Sequence, residues 1–386
     1  MKFFRPLAAA AVAAAFLLAG CASGGSGGAT AGGGATLKIG LVNPTTGASS
    51  WAGVPIAQGA QTAVDEINET GFLGDQKLEL TSKDSEGDPA TAISAYRGFA
   101  SDDYLAAICC TLSSEAGSFA QLAASLKFPT VANGATLKGL NAPPYMYRTI
   151  VLPADPGGMY AQTAQAIAAK GNVKSAVIVE TADNEGNVSD AKVWQDNLQK
   201  DGIAVLQVID TFQADTDFTV PVTTILSQNP DLVVFSTQGP NSATMIKMLR
   251  ERGYQGLTTS SYGIAVPSVW KVGGEALAGT IFPIPFSPDG TSDRTKDFVQ
   301  RYQQQWNSQP DLYAAQGYNA VWFIAEGIKA AGTNVTRESL ADALSKLDSF
   351  ELASGNVVKM VDGQAELSDA VLIAQWNADG TQSLWK

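Results

Sequence analysis

Short apolar runs alternate along the chain with longer segments whose apolar residues recur every three or four positions. Leu37-Lys-Ile-Gly-Leu-Val42 and the alternating segment 77–83 read as strands. Between them Ile56, Ala60, Ala63, Val64 and Ile67 share one helical face, with Pro55 opening the helix and Gly71 and Gly74 closing it. Asp88-Pro89 puts a capping residue and a proline where a helix start prefers them, and that helix runs to about residue 100. Residues 105–110 form a continuous apolar run, the pattern of a strand buried on both faces. After it, Phe119, Leu122, Ala123 and Leu126 fall at helical spacing, so Ser113 and Ser114 stand where an N-cap belongs. Residues 128–132 are the next strand, ending in Asn133-Gly-Ala-Thr136, and 145–150 is another.

The alternation restarts after Pro153. Helices are predicted over about 155–169, from 187 to 200, around 220–227 and over 241–252, and strands over 175–180, 204–209, 231–236 and 257–261. A strand at 279–283 leads to helices at about 293–306, 312–331 and 337–347. Two short strands beyond Phe350 and a strong one at 370–376 finish the chain. Strands separated by helices in this way specify βαβ units on a parallel sheet, here in two series. In such sheets ligands bind beyond the carboxyl ends of the strands. Ser113 and Thr136, at neighbouring strand ends, are therefore expected to face one cleft and hold an anionic group there.

Length fits two domains, since the chain has 386 residues. The net charge of −12 argues against nucleic acid as a partner and against electrostatic adhesion to anionic lipid. The chain has no histidine, which removes the commonest general base and metal ligand. No cofactor or metal is expected, and the three cysteines cannot build a disulfide framework. Cys109 and Cys110, at the end of a buried strand, read as two packed thiols. An enzyme reading has one motif, Ser268-Val-Trp-Lys271, in the S-x-x-K pattern of serine hydrolases. Its companion motifs and a G-x-S-x-G elbow are absent, and no Ser–His pair can form, so no catalytic residue is assigned.

The first residues read as a secretory leader: Lys2 and Arg5, then an apolar run over 7–19. Leu18-Ala-Gly-Cys21 resembles the bacterial lipobox. That resemblance implies a signal peptide over 1–20, lipid chains such as palmitate on Cys21, and an extracytoplasmic protein anchored to the cell membrane. Residues 21–36, mostly Gly, Ser, Ala and Thr, would be a flexible tether.

Four stretches together resemble a known family. They are residues 37–47, Gln58 to Asn68 with Asp84 to Pro89, Leu112-Ser-Ser114 with Asn133-Gly-Ala-Thr136, and Asp311 to Val321. The chain is similar in these to the extracytoplasmic solute-binding proteins of the Leu/Ile/Val-binding, type I periplasmic-binding class, which feed ABC transporters. The resemblance implies an α/β fold of two Rossmann-like lobes, each a mostly parallel sheet flanked by helices, joined by three crossings. The crossings are expected near residues 149, 279 and 347. Lobe 1 is then 37–149 plus about 280–347, and lobe 2 is 150–279 plus about 348–386.

A small-molecule ligand would lie between lobes that close by hinge motion. The resemblance carries the ligand's carboxylate to Ser113 and Thr136, beside Ser114 and Ala135, and gives its ammonium the backbone carbonyl of Gly134. Trp51 stands where the family keeps an aromatic over the ligand, and the second lobe's aromatics stand as Glu185 or its neighbour Asn184, and as Gln238. The acid that pairs the ammonium stands as Tyr262. Either Glu185 or Asp183 then supplies that charge, or the ligand is not an α-amino acid but an aromatic acid or similar carboxylate, an amide or a small polyol. The expected partners are an ABC transporter permease and, through the lipid anchor, the membrane, with the protein itself a monomer. The alternative is the same module presenting its ligand to a membrane receptor.

Overall fold

The computed structural model describes residues 34–366 and 371–385. The expected leader, Cys21 and nearly all of the tether lie outside the described residues.

Two sheets carry the architecture. The first starts with β1 (Thr36–Asn43), β2 (Lys77–Asp84), β3 (Ala106–Cys109), β4 (Thr130–Ala132) and β5 (Met146–Arg148), all parallel. The second starts with β6 (Ser175–Thr181), β7 (Ala204–Thr211), β8 (Leu232–Ser236), β9 (Leu257–Ser260) and β10 (Ile281–Ile284), also parallel. The chain then returns to the first sheet for β11 (Ser349–Glu351), β12 (Val357–Val361) and β13 (Gln364–Glu366). It crosses once more to add β14 (Leu372–Trp376) and β15 (Gln382–Leu384) to the second. The strand orders are β11-β12-β13-β5-β4-β3-β1-β2 and β15-β14-β10-β9-β8-β6-β7. Only the late edge strands run antiparallel. Every residue of β3, β4 and β8 is buried, as continuous apolar runs in a sheet covered on both faces require.

Helices cover both sheets. On the first lie α1 (Ser50–Thr70), α2 (Pro89–Ser101), α3 (Ser113–Ala116) and α4 (Phe119–Leu126). On the second lie α5 (Met159–Ala169), α6 (Glu185–Lys200), α7 (Thr219–Gln228), α8 (Gly239–Glu251) and α9 (Pro267–Gly273). The returning chain packs α10 (Asp293–Trp306), α11 (Leu312–Ala331) and α12 (Arg337–Leu344) beside α1 and the first sheet. α11 is buried along nearly its whole length and lies so close to α1 that side chains at Gly59 and Gly317 would strike backbone of the other helix.

The crossings differ from expectation at two places. The strand near residue 279 is β10, which pairs with β9 and β14, so the second crossing follows it, over 285–292. The strands at 349–366 belong to the first sheet, where Gln364 of β13 pairs in parallel with Arg148 of β5. The third crossing therefore falls between Glu366 and Leu372 instead of near residue 347. Pairing between strands distant in sequence decides both, and local pattern carries no trace of it.

Two helix starts also differ. Asp88 caps α2 as expected, its side chain accepting from the Thr91 N–H at 2.7 Å. α1, however, begins at Ser50, with Pro55 inside it. Asn43 Nδ2 donates to the Gly53 carbonyl at 2.6 Å, and a Cβ on Gly53 would collide with the Pro44 carbonyl. This tight seam fixes the first turns of α1 against β1. The helix expected after Ser114 is two short ones, with Leu112 and Ser118 at their N-caps and neither side chain capping. Ser113 and Ser114 are thus first-turn residues of α3, and the capping role expected for them is not formed.

Candidate functional site

The carboxyl ends of the two sheets face each other across a cavity of about 80 Å³. From the first lobe it is lined by Trp51, the turn after β3 with Ser113, and the turn after β4 with Gly134 and Thr136. From the second it is lined by the α6 start, by Gln238 after β8 and by Tyr262 after β9. Trp51, Ser113, Gly134, Thr136, Gln238 and Tyr262, expected to share a cleft, are therefore brought together.

The two first-lobe turns are tied to each other. Ser113 Oγ accepts the Thr136 N–H at 3.1 Å, and the Ala135 N–H donates to the Cys110 carbonyl at 2.7 Å. A Cβ on Gly134 would come within 2.7 Å of the Thr111 carbonyl, so only glycine lets the turns lie this close. Ser113 and Thr136 thus present two hydroxyls side by side, donors suited to a carboxylate. Trp51 packs edge-on to Tyr313 at 5.2 Å, and its Nε1 has no protein partner.

Three expected residues do not line the cavity. Ser114 lies behind the wall, its Oγ buried without a partner. Ala135 is buried in the core, its carbonyl accepting from Arg148 Nη1 at 3.1 Å. Glu185 is exposed at the first residue of α6, since solvating its charge costs less than burying it. Asp183 is exposed too and accepts the Gln213 N–H at 2.9 Å. Neither acid supplies a charge to the cleft. Glu115 is buried but turns away, its Oε1 accepting from Ser85 Oγ at 2.6 Å, and burial raises its pKa. Cys109 and Cys110, expected as separate thiols, are joined to each other at the end of β3, where Cys110 turns to φ +67° and brings the neighbouring side chains together.

Asn184, the alternative to Glu185, does line the cavity, and the structure adds Asp190 and Tyr313, which the sequence did not single out. Asn184 caps α6, its Oδ1 accepting the Gly186 and Asn187 N–H groups at 3.1 and 3.3 Å. Asp190, one helical turn beyond Gly186, is 3% exposed, and the Tyr160 hydroxyl donates to its Oδ2 at 3.3 Å. Burial pushes Asp190 up to about 8, against the Tyr160 hydrogen bond, which lowers it. Tyr313, from the start of α11, completes the wall. A signal for Asp190 was available: it shares a helical stripe with Trp194 and Leu198, so it is an acid on a buried face.

The lobes touch at the rim. A Cβ on Gly186 would stand 2.6 Å from Thr136 Oγ1 and closer still to Ser113 Oγ. One on Gly263 would stand 3.3 Å from the Trp51 ring. Tyr262 also forms a wall of a second cavity of about 190 Å³, bounded by parts of all three crossings. The serine-hydrolase pattern finds no site: Ser268 is exposed on α9, away from both cavities.

Residues 36–381 match a family model described as "Periplasmic binding protein". The chain is 25% identical over 354 residues to Leu/Ile/Val-binding protein homolog 3 of Brucella melitensis, covering 89% of this chain and 92% of that one. Among solved structures, a leucine-binding protein of Thermotoga maritima is similar with a TM-score of 0.80 at 23% identity, covering 91% of this chain and 98% of that one. A branched-chain amino acid transporter substrate-binding protein of Streptococcus pneumoniae, in complex with isoleucine, is similar with a TM-score of 0.81 at 20% identity, covering 91% and 99%. These relatives are binding proteins, not enzymes.

Proposed function

We propose, from the premise that this chain belongs to the periplasmic binding protein family, that it captures a small amino acid or related carboxylate between its lobes and delivers it to an ABC importer. The observation that carries this reading is the paired hydroxyls of Ser113 and Thr136, held side by side on one lobe and met by the start of α6 from the other. A carboxylate set there receives charge-assisted hydrogen bonds from both hydroxyls. Trp51 and Tyr313 supply an aromatic wall for an apolar side chain. The names of the relatives, which bind leucine, isoleucine and valine, favour a branched-chain or similarly small ligand. Cys21 in its lipobox is the residue that would carry the lipid anchor, with the transporter permease as the partner at the membrane.

A thermal-shift screen of amino acids, their des-amino acids and their amides tests the reading, because a ligand that binds only the folded state raises its melting temperature. The expected result is stabilisation by a small carboxylate-bearing compound. The Ser113→Ala/Thr136→Ala double variant should bind that compound at least tenfold more weakly by calorimetry. A double variant of unchanged affinity refutes the assignment of the carboxylate site.

A further inference from the structure

We propose that Asp190 receives the ammonium group of the ligand, so that the cleft selects α-amino acids over carboxylates lacking the amine. The inference rests on the reading of the cleft as an amino acid or carboxylate site.

Among the described residues that line the cavity, Asp190 is the only charged one. It is buried, its Oδ2 accepts from Tyr160, and its Oδ1 has no partner among the described residues. A buried carboxylate oxygen without a donor is costly, and native interiors seldom keep such a group unsatisfied. An ammonium supplies both the missing donor and the missing charge.

Position fits the ligand. Gly186 abuts the Ser113 and Thr136 hydroxyls, and Asp190 follows it by four residues on the same helix, a rise of about 6 Å. A carboxylate on the hydroxyls therefore has its α-substituents turned along α6 towards Asp190. The same helix then touches one end of the zwitterion and neutralises the other. The lobes are drawn together because the carboxylate is held by the first lobe and the ammonium by the second. Tyr262 stands where the resemblance put an acid, and the acid has moved to a neighbouring wall.

The groups around Asp190 leave it without a cation in the cleft. Tyr160 comes from α5, Tyr262 from the turn after β9 and Tyr313 from α11. Lys138, on the loop after β4, acts on it only through space. Glu115 on α3, which packs against α6, turns to Ser85, and Glu180 of β6 faces Asp210 of β7. β8 carries no ionisable residue. Burial raises Asp190 to about 8, so near neutral pH the carboxyl of the unliganded protein holds a proton that an arriving ammonium expels. Affinity for an amino acid should then rise with pH from about 6 to about 8, with a proton released on binding.

The test titrates the full chain with leucine and alanine, and with 4-methylpentanoate and propionate as their counterparts lacking the amine. Titrations at pH 7 run in two buffers of different ionisation enthalpy. Wild type should prefer the amino acid of each pair and release a fraction of a proton per ligand. Asp190→Asn keeps an acceptor for Tyr160. It should bind the amino acids at least tenfold more weakly, release no proton and bind the des-amino compounds as wild type does. That last result also establishes that the variant is folded. Asp190→Asn with wild-type amino acid affinity overturns the inference and leaves the carboxylate site standing. Equal loss of both compounds of a pair also overturns it. A wild type that takes up neither compound of either pair fails the underlying reading, and the inference with it.

Discussion

Replacing Gly186 with alanine should weaken ligand binding without weakening the fold. Gly186 is the second residue of α6, and its φ is not in the left-handed region, so alanine is conformationally allowed. In a helix alanine is favoured over glycine by up to about 1 kcal/mol. The added methyl carbon, however, would lie within 2.6 Å of both the Ser113 and Thr136 hydroxyl oxygens and 3.0 Å from Ser113 Cβ. All three atoms belong to the opposite lobe, so parting the lobes relieves the crowding. Overpacking of this kind costs about 1–3 kcal/mol. Charged wholly to the closed, ligand-holding form, it lowers affinity between about fivefold and about 150-fold. Calorimetry with the compound found in the thermal-shift screen measures this, and unliganded melting should stay level or rise. Wild-type affinity in Gly186→Ala would refute the idea that α6 closes directly onto the paired hydroxyls.

Two predictions concern stability. Burial raises Glu115 above its ordinary value, so the folded chain holds this proton more tightly than the unfolded one does. Stability is therefore lost as pH rises from the ordinary glutamate value through the raised one. Glu115→Gln, which can still accept from Ser85, should gain on wild type between pH 4 and pH 7 in urea unfolding, and an equal difference at both pH values would refute the sign. Arg148 is fully buried and donates to the Ala135 and Leu137 carbonyls at 3.1 and 2.6 Å and to Gln364 Oε1 at 2.5 Å. Arg148→Met strands those acceptors at about 1–3 kcal/mol each, so unfolding free energy should fall by several kcal/mol, and a drop below about 1 kcal/mol would count against the network.

Legibility in the sequence followed the range of the interaction. Period and capping residues located the elements: α10 and α11 lie where the apolar spacing put them, and Asp88 caps α2. Strand-end turns also told where Ser113 and Thr136 would meet, because βαβ topology brings successive strand ends together. What failed was long-range. β13 joins β5 through one pairing between residues 148 and 364, and no window of sequence holds both. Pro55 lies inside α1, whose start is set by contacts with β1 that no local window shows. Asp190 was missed by following loops for charge, where Glu185 and Asp183 lie in solvent, when the informative anomaly was an acid on the apolar stripe of a helix.

The Arg148 network has a mechanical consequence. Arg148 ends β5, just before the first crossing, and its Nε binds Gln364, whose amide in turn donates to the Ile150 carbonyl at 2.7 Å. The outgoing chain at 149–150 and the strand from which the third crossing departs are therefore pinned to one another at their roots. Two of the three straps between the lobes thus leave from one pinned root. Any closure of Gly186 onto the Ser113 and Thr136 hydroxyls would therefore pivot from two roots that cannot separate without breaking the Arg148–Gln364–Ile150 chain of hydrogen bonds.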